Sequence, residues 1–92
     1  MIMADKRIEK MRAELDCAIK SSFGGDFEVE YEAISPVRHE GDICDAVAAT
    51  IKKSNHVIGN VIYFSDGCVS TTHDAKYQGM FDKAQNSVKR CD

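Results

Sequence analysis

The chain has 92 residues, 43% of them hydrophobic and 29% charged, with a formal net charge of −3. That length predicts a single domain over 1–92, and the composition is that of a folded globular protein rather than a linker or low-complexity tail. The acidic balance excludes nucleic-acid binding driven by bulk positive charge, and no apolar run reaches the length of a membrane span.

Charged residues arrive at once after Met1-Ile2-Met3-Ala4, as Asp5 and Lys6. No signal-peptide core is present there, so the expected location is cytoplasmic. The four cysteines, Cys17, Cys44, Cys68 and Cys91, are widely spaced and form no CxxC pair. In a reducing compartment they read as small apolar thiols rather than a disulfide framework.

Residues 5–22 carry the first element. Ile8, Met11, Leu15, Ala18, Ile19 and Ser22 recur at three- and four-residue steps, which places them on one face of an amphipathic helix. Asp5 is the expected N-cap. Gly24-Gly25 ends the helix, because glycine accepts the left-handed C-terminal conformation.

The period then changes to two. Phe27, Val29, Tyr31 and Ala33 alternate with Asp26, Glu28, Glu30 and Glu32, the pattern of a half-buried strand over 26–34. Ser35-Pro36 should end it, since proline cannot donate to a ladder. Val37 to Gly41 reads as a polar loop.

Asp42 suits the cap of a second helix over 43–54, with Ile43, Ala46, Val47, Thr50 and Ile51 as its buried stripe. Lys52 and Lys53 would complement its dipole, and Asn55 its C-terminus. Val57 to Phe64 is the most apolar stretch and reads as a central strand covered on both faces. Asp66-Gly67 is a hairpin signal, with Cys68–Thr72 as the returning strand. Thr72 or Asp74 would cap a last helix running to about Arg90, with Tyr77, Phe81, Ala84, Val88 and Cys91 on its apolar face. Gly79 costs that helix about 1 kcal/mol relative to alanine, so an irregular first turn is expected. The predicted order is α-β-α-β-β-α: an α+β, two-layer fold with a three-stranded sheet packed against helices.

Chemistry-bearing patterns are sparse. Phosphate-binding loops are absent, since Gly24-Gly25 leads into a strand and not a helix N-terminus. His39 with Cys44, and Cys68 with His73, are half-pairs for a metal or a nucleophilic thiol. Neither has a standard ligand spacing, and neither comes with an oxyanion loop. Cys44 would lie near the N-terminus of the second helix, which would favour its thiolate. No catalytic residue, cofactor or metal is assigned from these patterns.

The most distinctive feature is the acidic stripe Asp26, Glu28, Glu30 and Glu32. Same-face residues on a strand lie about 6.6–6.8 Å apart, comparable to successive phosphates along one nucleic-acid strand. Such a row suits a basic groove, although like charge also protects a strand edge from aggregation. The loop residues Arg38, His39 and Glu40 form a second candidate contact surface. Lys6, Arg7, Lys10 and Arg12 on the first helix, with Lys83, Lys89 and Arg90 on the last, supply an opposite candidate for phosphate contact. Glu9, Glu14 and Asp16 interleave with the first set, as in a solvated face.

These features predict a small non-enzymatic binding protein. It would dock on a larger protein or ribonucleoprotein with a basic surface and block it, in the manner of a phage-type, anti-CRISPR-like inhibitor that mimics nucleic acid. A nucleic-acid-binding module using the basic helices and a small thiol or metal protein are the alternatives. A free strand edge also admits a weak homodimer.

Overall fold

A computed structural model describes residues 3–90, with side chains described for residues 6–88. Helix α1 spans Met3–Phe23. Strands β1 (Glu28–His39), β2 (Asp42–Lys53), β3 (His56–Phe64) and β4 (Val69–His73) follow. A 3-10 turn at Ala75–Tyr77 then leads into helix α2, Gln78–Arg90. The class is α+β, as expected, but the sheet has four strands in the order β1-β2-β3-β4, every neighbouring pair antiparallel.

The decisive difference lies at 43–54, where the predicted second helix is strand β2. Val47, Ala49 and Ile51 are buried at every second position, and they face Ala33, Tyr31 and Val29 of β1 and Tyr63, Val61 and Gly59 of β3. Ala46, Val47, Thr50 and Ile51 fit both the helical and the strand period. Pairing on both sides decides between them, because a central strand recovers its backbone hydrogen bonds from two neighbours. Lys53 and His56 pair across Ser54-Asn55, whose φ values are +54° and +66°. Asn55 thus closes a two-residue hairpin turn, and is not a helix C-cap.

The other revisions are local. Asp5 lies inside α1, which begins earlier than expected. Gly24 ends α1 with φ +76°, as expected. Ser35-Pro36 does not end β1. The strand passes through a register shift between Ile34 and Val37 and continues to His39, with the cis proline on an outer strand that tolerates its missing donor. The expected loop 37–41 is therefore mostly strand, closed by a tight turn at Glu40-Gly41 with φ +54° and +87°. Gly79 falls in the first turn of α2, directly after the 3-10 turn. Cys91 lies outside the described residues.

Both helices pack on one face of the sheet. Met11, Leu15, Ile19 and Phe23 of α1 and Phe81, Ala84 and Val88 of α2 share one core with Val47, Ile51, Val61 and Val69. Two tyrosines tie α1 to the sheet: Tyr31 donates to Asp16 at 2.5 Å and Tyr63 donates to Glu14 at 3.0 Å. No helix among the described residues is long and apolar enough to cross a membrane. Among the described residues the second face of the sheet carries no helix, so β3 is not covered by helices on both sides as expected. That face presents Glu28, Glu30 and Glu32 from β1, Ala48 and Thr50 from β2, Asn60 and Ile62 from β3, and Ser70 and Thr72 from β4.

Candidate functional site

The helix-free face carries two groups of chemistry-bearing side chains, one at each end of β1. At the start of the strand, Glu28, Glu30 and Glu32 alternate outward and are exposed. They point away from the core because Val29 and Tyr31 pack inward against it. Their strand is at the edge of the sheet, so no strand among the described residues pairs with its far side. Lys52 on β2 holds Glu30 at 3.0 Å. Glu28 and Glu32 have no ion-pair partner among the described residues.

The predicted contact residues do not all join this row. Asp26 lies before β1, exposed in the connection from α1. Arg38 sits on β1 beyond the register shift and turns back on its own hairpin, donating to the Gly41 carbonyl at 3.4 Å. Alternation places it on the opposite side of the strand from His39. His39 and Glu40 instead belong to the second group, at the far end of β1. Here the structure revises the expected grouping, since Arg38, His39 and Glu40 form no single loop surface.

At this far end the His39 ring lies flat on Phe64, with centroids 4.0 Å apart and planes 12° from parallel. His39 Nδ1 is 2.9 Å from Asp66 Oδ2, and the other Asp66 oxygen accepts the Cys68 backbone N–H at 2.9 Å. These bonds, the Cys68 amide first and His39 next, hold the Asp66 carboxyl below its ordinary range. His39, Glu40 and Cys68 each bring one potential ligand atom within 4.8 Å of the others. Neither expected half-pair forms this group, which joins His39 to Cys68 and leaves out Cys44 and His73. Cys44 lies on β2 and not at the expected N-terminus of a second helix. His73 stacks on Phe81 at 4.8 Å, on the core side. No disulfide joins the described cysteines.

The convergence follows from the antiparallel order. In such a meander the β1–β2 and β3–β4 turns fall at the same end of the sheet, and beyond the register shift of β1 the His39 ring reaches Phe64 of β3. The one sequence signal available was the Asp66-Gly67 turn placed immediately before a cysteine. Its meaning depended on 43–54 being a strand.

A third feature is a cleft of about 620 Å³ between α1 and β1, walled by Ile19, Phe23, Phe27, Val29 and Tyr31. Its size suits a small ligand, but the polar groups at its rim, Asp16 and Tyr31, satisfy each other. The basic residues Lys6, Arg7, Lys10 and Arg12 of α1 are exposed. Arg7 lies 3.9 Å from Asp45, and Lys20 pairs with Asp16 at 3.1 Å. Comparison with protein-family models, curated proteins and solved structures gave no match to this chain.

Proposed function

We propose that this chain is a non-enzymatic binding protein that docks its helix-free sheet face on a basic surface of a larger macromolecular partner and blocks that surface. The observation that carries this reading is the alignment of Glu28, Glu30 and Glu32 on an edge strand, outside the helical layer. Three carboxylates at strand spacing make a linear negative array, and among the described residues one of them, Glu30, is neutralised by a neighbour, Lys52. The residues paired beside it on β2, Ala48 and Thr50, are small. A nucleic-acid-binding channel, lined by lysine and arginine, has the complementary charge. An inhibitor of the phage type that competes with nucleic acid for such a channel is the concrete form of this proposal.

The test is the triple variant Glu28→Gln, Glu30→Gln, Glu32→Gln. The side chains are exposed, so the fold should be retained, with an unchanged circular dichroism spectrum. Affinity capture with wild-type protein at low salt should recover a basic partner, and the variant should lose it. Equal recovery by a folded variant would refute the proposal. Recovery of nucleic acid alone, lost on neutralising Lys6, Arg7 and Lys10, would assign the function to α1 instead.

A further inference from the structure

We propose that the chain binds one zinc ion between His39, Glu40 and Cys68, at the end of the sheet where the β1–β2 and β3–β4 turns meet. The proposal is independent of the docking reading, since its residues lie at the opposite end of β1 from the three glutamates.

Geometry comes first. One potential ligand atom from each residue lies within 4.8 Å of the other two. Zinc bonds of about 2.0–2.3 Å in a tetrahedron separate neighbouring ligands by roughly 3.3–3.8 Å. Closing the group on an ion therefore takes about 1 Å of movement, within reach of side-chain torsions in a two-residue turn. Chemistry comes second. Thiolate, imidazole and carboxylate together are a zinc set, whereas calcium and magnesium require oxygen ligands throughout.

Preorganisation comes third. Phe64 fixes the plane of the His39 ring from one side, and Asp66 holds a ring nitrogen at 2.9 Å. The same carboxylate holds the Cys68 backbone. A carboxylate that orients a ligating histidine is a recurrent support for bound metal. Glu40 is exposed on the turn, whereas His39 and Cys68 are half-buried, so its side chain has the most room to swing onto an ion. The described residues supply three ligands of the four that a tetrahedral zinc takes. Binding deprotonates the Cys68 thiol and releases its proton to solvent, so affinity should rise with pH. It also cross-links the two turns that the His39–Asp66 contact brings together.

The experiment is dialysis of the reduced full chain against Zn²⁺, followed by elemental analysis, with Co²⁺ as a spectroscopic substitute. The expected result is one zinc per chain and a thiolate-to-cobalt charge-transfer band. Cys68→Ser should abolish the band, and Cys68→Ser and His39→Gln should each weaken zinc binding by roughly tenfold or more. Cys17→Ser, on the exposed side of α1, should change nothing. A measurement on wild-type protein guards against a variant that fails to fold: zinc should slow alkylation of Cys68, read by mass spectrometry, and leave Cys17 unaffected. Absence of stoichiometric zinc, or alkylation of Cys68 at the metal-free rate in its presence, would overturn the proposal.

Discussion

Gly59→Ala should be among the most destabilising single substitutions in this chain. Gly59 lies on β3 opposite Ile51 and His73, beneath the buried Phe81 of α2. A Cβ built there would lie 2.7 Å from Phe81 Cζ and 2.8 Å from His73 Cα, and would also strike the Thr72 carbonyl oxygen. Ordinary carbon contacts need about 3.5–4.0 Å, so β4 and Phe81 must each retreat by roughly 0.7 Å or more. Two of the three obstacles are backbone atoms, which cannot rotate away. Overpacking of a filled core costs typically 1–3 kcal/mol and occasionally more, and this site belongs at the upper end, about 3 kcal/mol. A domain of this length has about 5–14 kcal/mol in all, so the variant should remain folded but much weakened. At roughly 4–8 °C per kcal/mol, the melting temperature should fall by about 12–24 °C. Urea unfolding followed by circular dichroism is the assay. Gly79→Ala is the internal control: a Cβ there meets nothing within 4 Å, and helix propensity should stabilise it by up to about 1 kcal/mol. A Gly59→Ala midpoint within about 0.5 kcal/mol of wild type would refute the packing of α2 and β4 over β3.

Tyr31→Phe should cost about 1 kcal/mol at neutral pH, the low end for a hydrogen bond to a charged group, because Asp16 is about one-third exposed. The Tyr31 hydroxyl, and then Lys20, holds the Asp16 carboxyl below its ordinary 3.8, so this stability is complete above that pH and fades as pH falls through the lowered value. Burial and Asp16 push the Tyr31 hydroxyl above its ordinary 10.0, so the same contact is also lost at strongly alkaline pH. The gap between wild type and variant should therefore close at both extremes, and a constant gap in urea titrations across pH would contradict the assignment. Lys52→Gln should change stability by less than about 0.5 kcal/mol, since its ion pair with Glu30 is exposed. It should tighten binding to a basic partner by unmasking Glu30, and weaker binding in a salt-dependent competition assay would count against the acidic face.

Much of this architecture is legible in residue order because local patterns there have one solution. The three- and four-residue steps from Ile8 to Ser22 admit only a helix, and α1 buries Met11, Leu15, Ala18 and Ile19 as that period requires. Alternation from Phe27 to Glu32 admits only a strand, and it sets which carboxylates share one face. Gly24, Asp66-Gly67 and the irregular entry to α2 are likewise set by backbone chemistry within a few residues. The segment 43–54 is different. Its alanines, threonine and isoleucines satisfy two periods, and only the ladders from β1 and β3 select one of them. The turns Glu40-Gly41 and Ser54-Asn55 carry the positive φ values that such hairpins demand, but without the usual Asn-Gly or Asp-Gly signature.

The His39–Glu40–Asp66–Cys68 cluster inherits that dependence. His39 and Asp66 are 27 residues apart, too far for any local rule to relate them. Sequence alone determined the helix at the start, the Glu28, Glu30 and Glu32 part of the acidic row, and a strand over the apolar segment before Asp66-Gly67, since each rests on contacts between near neighbours. Tertiary structure alone decided that 43–54 is a strand, that the acidic row faces away from both helices, and that the two turns meet, because hydrogen bonding between distant segments selects among conformations that local preference leaves equal.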